Sequence, residues 1–132
     1  QPAAKSALPL SANRMPRLAN PYDPKEDLNK RARSWLHVNC SVCHVEYGGG
    51  NARMELEFQN SLTNMRIVDV KPVHTTFGLP DAQLVAPGDP DRSVLLKRIS
   101  IRGPHQMPQL STNLVDEAGV ALIREWIASL KK

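Results

Sequence analysis

The feature that most constrains this chain is a cluster of three chemically reactive side chains, Cys40, Cys43 and His44, arranged as C-x-x-C-H. The sequence contains 2 cysteines in all, so its entire thiol chemistry lies in this one segment. The spacing indicates covalent attachment of a c-type haem, in which each thiol adds across one vinyl group of the porphyrin. Cys40 and Cys43 are then the tethers, and the imidazole of His44 is the proximal ligand of the iron.

Two other kinds of site use a C-x-x-C pair: a thioredoxin-like redox centre and one half of a zinc site. A thioredoxin-like pair belongs to a βαβ unit, whereas the residues before Cys40 have a helical pattern. A closed zinc site needs four ligands, and His37, His74 and His105 form no second pair with zinc-finger spacing. The flanking sequence therefore favours haem attachment.

Length and composition predict one small domain whose hydrophobic core would be enlarged by a bound apolar group. The chain has 132 residues and only 5% aromatic residues, so its own core is expected to be modest. A buried porphyrin would add apolar surface to that core. The net charge of +4 comes from scattered basic residues, which argues against a nucleic-acid interface. No apolar run approaches the roughly 18 residues of a membrane span.

The first part of the chain divides into a leader and a helix. Residues 1–22 are rich in proline and small polar residues, so we expect a linker or an arm laid on the surface, without a helix. Residues 23–132 are expected to form the folded domain. Asp23 is the predicted N-cap of its first helix, with Pro24 at the first helical position, and this helix should run to about Cys40.

The rest of the domain is predicted to contain two further helices. The glycines of residues 48–50 are expected to permit positive φ angles and a close approach of the backbone to a ligand. Residues 52–88 lack sustained periodicity and should be mainly irregular. A helix should begin at Asp89 and Pro90, and another should run from Asp116 to Leu130. The predicted fold class is all-α, with helices and long loops packed around the haem.

The second axial ligand of the iron decides between electron transfer and ligand binding. Met107 is the favoured residue, because it lies in a turn-rich segment stiffened by Pro104 and Pro108. His105 and His74 remain alternatives, as does an open site. Met54 and Met65 are expected to fill gaps in the core. Met15 and His37 complete the set of side chains considered. Arg53, Arg66 and Lys71 are candidate partners for the haem propionates.

These residues resemble class I c-type cytochromes over positions 23–131. The resemblance rests on Ala32 and Leu36 before the motif, the Met107-Pro108 loop, and Trp126 in the last helix. It implies that Ala32 lets the first and last helices cross closely, and that Trp126 packs at the crossing. More narrowly, the chain looks like the C-terminal cytochrome c domain of secreted bacterial β-propeller or quinoprotein sugar-dehydrogenase-like proteins.

The expected function is one-electron transfer by a single covalent haem c with His44 and Met107 as axial ligands. Its partner would be a redox protein or a fused dehydrogenase domain, with no nucleic acid and no membrane span, and a monomer is expected. Since c-type haem attachment takes place outside the cytoplasmic membrane, the setting would be periplasmic or secreted. The alternatives are a peroxidase-like haem enzyme, in which His105 or Arg102 would act on bound peroxide, and a gas or redox sensor with an open distal site. A domain whose haem is largely structural is a further alternative.

Overall fold

A computed structural model describes residues 10–131, apart from the side chain of Ala12. Within that range the structure has three α-helices and no strands, which confirms the all-α class. They are α1 (Leu28–Cys40), α2 (Val94–Ser100) and α3 (Glu117–Ser129). None of these helices is long and apolar enough to cross a membrane.

The first helix begins later than predicted. Its N-cap is Asp27, whose side chain accepts a hydrogen bond from the backbone N–H of Lys30 at 2.9 Å. The prediction that Asp23 is the cap is wrong. The Asp23 carboxylate instead accepts from the N–H of Lys25 at 2.9 Å. This bond to the residue two positions on forms a tight turn that competes with helix initiation.

The second helix is also preceded by a separate turn. Pro90–Arg92 form a short 3₁₀-helix, and the N-cap of α2 is Ser93. The Asp89 carboxylate does not cap, because it is bound to Arg92 Nε at 2.8 Å. The third helix starts where the sequence predicts, since Asp116 Oδ1 accepts from the N–H of Gly119 at 2.9 Å.

The core includes the contact between α1 and α3. Ala32 and Trp126 are both fully buried, and Trp126 Nε1 donates to Asn29 Oδ1 at 3.0 Å. Trp35 Nε1 donates to Asp116 Oδ2 at 2.8 Å, so each helix supplies one tryptophan that bonds to the other helix. A Cβ on Gly119 would lie 2.3 Å from Trp35 Nε1, so only glycine allows the first turn of α3 to approach this closely.

Residues 52–88 are irregular, as expected, yet they supply a large part of the core. Leu56, Met65, Ile67 and Val85 are each at most 1% exposed. Two isolated parallel bridges, Val68 to Val85 and Gln83 to Ser93, join this segment to itself and to the start of α2. The long loop is therefore a packed layer, and Met65 fills the core as predicted.

The end of the leader lies against the helices. The Ala19 N–H donates to Ser34 Oγ at 3.0 Å, and Ala19 and Ser34 are both buried. Arg31 Nε donates to the Pro21 carbonyl at 2.9 Å. The prediction of no helix before residue 23 is wrong, because Ala12–Arg14 form one turn of 3₁₀-helix. Residues 1–9 of the predicted leader, and Lys132, lie outside the described residues.

Candidate functional site

The C-x-x-C-H segment folds as a turn at the end of α1. The carbonyl of Cys40 accepts from the N–H of Cys43 at 3.1 Å and from the N–H of His44 at 2.9 Å. The following chain is bonded to this turn, because Gly50 N donates to the Cys43 carbonyl at 3.0 Å and Leu56 N donates to the His44 carbonyl at 2.8 Å. The backbone on both sides of His44 is therefore held in place.

The glycine loop approaches the His44 ring closely. A Cβ on Gly50 would lie 2.5 Å from His44 Nδ1, and a Cβ on Gly48 would lie 2.3 Å from the Cys43 carbonyl oxygen. The close approach is to the His44 ring, whereas the approach predicted from the sequence is to a ligand. The expected positive φ angles are not present, since among residues 47–50 only Tyr47 has one, at 61°.

His44 is buried and electrostatically tuned towards its neutral form. It is 8% exposed, and burial lowers its pKa below the ordinary histidine value. The backbone of Ala52 acts in the opposite direction and raises the pKa, while the positive charge of Arg98 lowers it further. Although the Ala52 backbone acts on the ring, the buried Nδ1 atom has no partner among residues 10–131 that meets hydrogen-bond geometry. Neutral imidazole is the form that binds metal ions.

The two thiols differ in their surroundings. Cys43 is exposed and Cys40 is partly buried, and both are free cysteines. Burial raises the pKa of the Cys40 thiol to about 12, and Cys43 adds to the rise. A thioredoxin-like pair needs a lowered thiol pKa, so this environment does not favour that chemistry. Within residues 10–131, no three side chains of His, Cys, Asp or Glu converge as a metal site.

Met107 lies on a loop that is fastened to α2. Its N–H donates to the Arg98 carbonyl at 3.0 Å, and its partly buried side chain packs at the edge of the core. Arg98 Nη1 donates to the His105 carbonyl at 3.0 Å. Since the charge of Arg98 also acts on His44, this arginine is a common neighbour of the motif and of the Met107 loop.

The alternative ligands lie in other surroundings. His74 and His105 are exposed, and the His105 ring packs edge-on against Phe77. His37 Nδ1 accepts from the N–H of Phe58 at 3.2 Å, so His37 binds the backbone of the irregular segment that follows the motif. The remaining methionines, Met15 and Met54, are half-buried. The candidate propionate partners Arg53, Arg66 and Lys71 are all exposed, and Arg66 pairs with Glu55.

Two side chains that hold the Met107 loop were not identified from the sequence. Arg102 donates through Nε and Nη2 to the Leu114 carbonyl, and Gln106 bonds to three backbone groups of the loop. The sequence carries no signal for these bonds, because arginine and glutamine are most often solvated surface residues.

The residues of this site fit a covalently attached haem. The backbone of Gly50 occupies the Nδ1 side of the His44 ring, so Nε2 is the nitrogen left to bind iron. The exposed Cys43 and the partly buried Cys40 flank the start of the same turn. Partly buried apolar side chains at the margin of the core are available to line a porphyrin; they are Cys40, Met54 and Met107. Two surface clefts elsewhere, lined by residues between 62 and 70 and between 71 and 92, include none of the motif residues.

Comparisons of the chain with protein-family models, with curated proteins and with solved structures give no match.

Proposed function

We propose that this chain is an electron-transfer protein with a cytochrome c fold and one covalent haem c. Cys40 and Cys43 form the thioether bonds, and His44 and Met107 are the axial ligands. The haem, when bound, supplies an iron that gains and loses one electron. Residues 23–132 form the haem-binding domain, and residues 1–22 form the leader or linker.

The observation that carries this proposal is the environment of His44. The ring is buried, its pKa is lowered, and its Nδ1 atom faces the backbone of Gly50. These features hold a neutral imidazole with one nitrogen available, directly after two cysteines with the spacing of haem attachment.

The protein's own residues have three tasks in this function. The bonds at Cys40 and Leu56 fix the backbone on both sides of His44. The bond from Met107 N to the Arg98 carbonyl holds the backbone of the methionine against α2. The apolar margin of the core would keep water away from an iron held by His44 and Met107, so that these two side chains would remain its ligands in both oxidation states. Because a methionine thioether favours ferrous iron, this pair predicts a comparatively high reduction potential.

The surroundings of Arg102 do not support the peroxidase-like alternative. Its guanidinium donates to the carbonyls of Ile99, Ile101 and Leu114 and to Thr112. An arginine committed to the backbone in this way is not available to act on a bound peroxide. His105 is exposed, and its ring packs against Phe77.

The proposed setting follows from the same chemistry. Haem attachment of this type takes place outside the cytoplasmic membrane, so we propose a periplasmic or secreted protein. Its electrons would pass between a donor, such as a fused or separate dehydrogenase, and a protein acceptor.

The decisive experiment is a spectrum followed by a ligand titration. The ferric protein should show the weak sulfur-to-iron charge-transfer band in the far red, and the reduced protein should not bind carbon monoxide. Carbon monoxide binding without the band would contradict the proposal and favour an enzyme or a sensor. Absence of both the band and carbon monoxide binding would indicate His105 or His74 as the second ligand.

A further inference from the structure

The side chain of Gln106 forms three hydrogen bonds to the backbone of the loop that carries Met107. Its Oε1 accepts from the N–H of Gly103 at 2.8 Å. Its Nε2 donates to the Pro108 carbonyl at 3.0 Å and to the Thr112 carbonyl at 3.1 Å. The partners are one backbone N–H and two carbonyls, so the orientation of the amide is fixed by its hydrogen bonds. One side chain thus joins the beginning of the loop, the residue after Met107 and the far end.

Two arginines anchor the loop to its surroundings. The Arg98 carbonyl of α2 accepts from the Met107 N–H, and the Arg98 side chain donates to the His105 carbonyl. Arg102, two residues after the end of α2, donates to the Leu114 carbonyl. Gln106 has a different role, because its amide links Gly103 to Pro108 and Thr112, on the two sides of Met107.

We propose that Gln106 is the positioning residue for Met107, and that it determines how well the thioether keeps its place against competing ligands. This inference rests on the proposed function, in which Met107 is an axial ligand. Gln106 is adjacent to Met107 and acts through the backbone on both sides of it, without touching the iron.

Removing the Gln106 side chain should weaken the binding of Met107 to the iron more than it lowers the free energy of unfolding. Gly103, Pro104 and His105 are exposed and Gln106 is only half-buried, so water can replace the bonds lost when the side chain is removed. The anchors at Arg98 and Arg102 remain. Removing Gln106 therefore leaves the fold intact, but frees the loop to sample shapes in which the sulfur is displaced.

The test compares Gln106→Ala with Gln109→Ala in the haem-loaded protein. Gln109 lies in the same loop, is exposed, and its side chain makes no hydrogen bond within the described part of the chain. Imidazole should bind the ferric Gln106→Ala protein about tenfold more tightly than wild type, equivalent to about 1.4 kcal/mol. As the pH is raised, the far-red band of the Gln106→Ala protein should also disappear at a lower pH than that of wild type. The Gln109→Ala protein should match wild type in both measurements.

A second variant separates positioning from general loosening. Gln106→Glu keeps an acceptor for the Gly103 N–H, but it places carboxylate oxygens against the carbonyls of Pro108 and Thr112. It should therefore weaken methionine ligation at least as much as Gln106→Ala. The unfolding midpoint, followed by far-ultraviolet circular dichroism, should change little in both variants. Faster amide hydrogen exchange at Gly103 would report the loosened loop directly.

The outcomes distinguish this inference from the proposed function. If wild type lacks the far-red band and binds carbon monoxide, Met107 is not a ligand, and both proposals are wrong. If wild type shows the band but Gln106→Ala binds imidazole no more tightly than Gln109→Ala, only the role of Gln106 is wrong. A loss of folding stability that accounts for the whole change in ligation would likewise overturn the positioning role.

Discussion

At the scale of single residues, the contact between Gly50 and His44 gives a sharp prediction. A methyl group at Gly50 would lie 2.5 Å from His44 Nδ1, whereas one at Gly49 would meet nothing within 4 Å. Gly50→Ala should therefore displace the ring and cost about 1–3 kcal/mol of folding stability, as overpacking does. Gly49→Ala should stay within about 0.5 kcal/mol of wild type.

The measurement for this pair is chemical unfolding together with the yield of covalently bound haem. Gly50→Ala should lower both, because the His44 ring, the proposed iron ligand, would no longer lie against the backbone of residue 50. Equal behaviour of the two alanine variants would show that the His44 ring is free to move and that the Gly50 contact has no role in the site.

A second prediction at this scale concerns Met107. Replacing it by alanine removes the thioether, so the reduction potential should fall on the order of 0.1 V, a fraction of the range of about 0.8 V that axial ligands can set. The iron should also bind carbon monoxide and imidazole. Redox titration and ligand binding provide the measurements. An unchanged spectrum and potential would rule out Met107 as the ligand.

At the scale of elements, Asp116 joins the leader, α1 and α3. It caps α3 at Gly119 and accepts from Trp35 Nε1 at 2.8 Å and from the Tyr22 hydroxyl at 2.7 Å. Burial acts to raise the pKa of this carboxyl, but the hydrogen bonds from Tyr22, Trp35 and the backbone of Gly119 outweigh it, so the pKa is lowered. The charged form of Asp116 therefore stabilises the folded state.

This lowered pKa predicts how the stability of the Asp116→Asn variant depends on pH. The contribution of the Asp116 charge is fully present above the unfolded aspartate pKa of about 3.9 and disappears as the pH falls through the lower folded value. Wild type should therefore be more stable than Asp116→Asn near neutral pH. The difference should shrink below about pH 4. Denaturant midpoints for both proteins across this range provide the measurement, and a difference independent of pH would contradict the assignment.

At the scale of the whole molecule, the end of the leader belongs to the folded unit. Ala19 bonds to Ser34, Pro21 to Arg31 and Tyr22 to Asp116, so residues 19–22 cover the outer side of the helices. The domain expected to begin at residue 23 should still fold and bind haem. However, it would leave the buried Ser34 without the donor that it now has.

A chain that begins at Asp23 should therefore unfold at a lower temperature than one that begins at Leu10. Loss of these hydrogen bonds and of the buried Ala19 should cost about 1–3 kcal/mol, which corresponds to several degrees in a domain of this size. The Tyr22→Phe variant of the longer chain is the control that removes only the bond to Asp116. Equal melting temperatures for the two chains would show that the leader contributes nothing to stability.

The sequence by itself was enough to predict the helical class, the presence of three α-helices and the burial of Ala32 and Trp126. Helical periodicity and capping residues are local signals, so they survive without knowledge of the fold. Even so, the cap at Asp23 was misplaced, and the start signal at Asp89 and Pro90 marks the start of a 3₁₀-helix instead of α2, without a hydrogen bond from the Asp89 carboxylate to the backbone. An aspartate can satisfy a nearby turn or an arginine as readily as a helix N-terminus, and the sequence alone does not distinguish these partners.

Only the tertiary structure decided which residues surround the motif. The burial of Leu56 and Ile67, the approach of Gly50 to His44 and the bracing of the Met107 loop by Gln106 all join positions without a shared periodic pattern. Such contacts depend on how the irregular segments return to the helices, which local propensity does not encode. The motif is a local pattern and can be recognised from the sequence, whereas the packing of the loops around it depends on the tertiary structure.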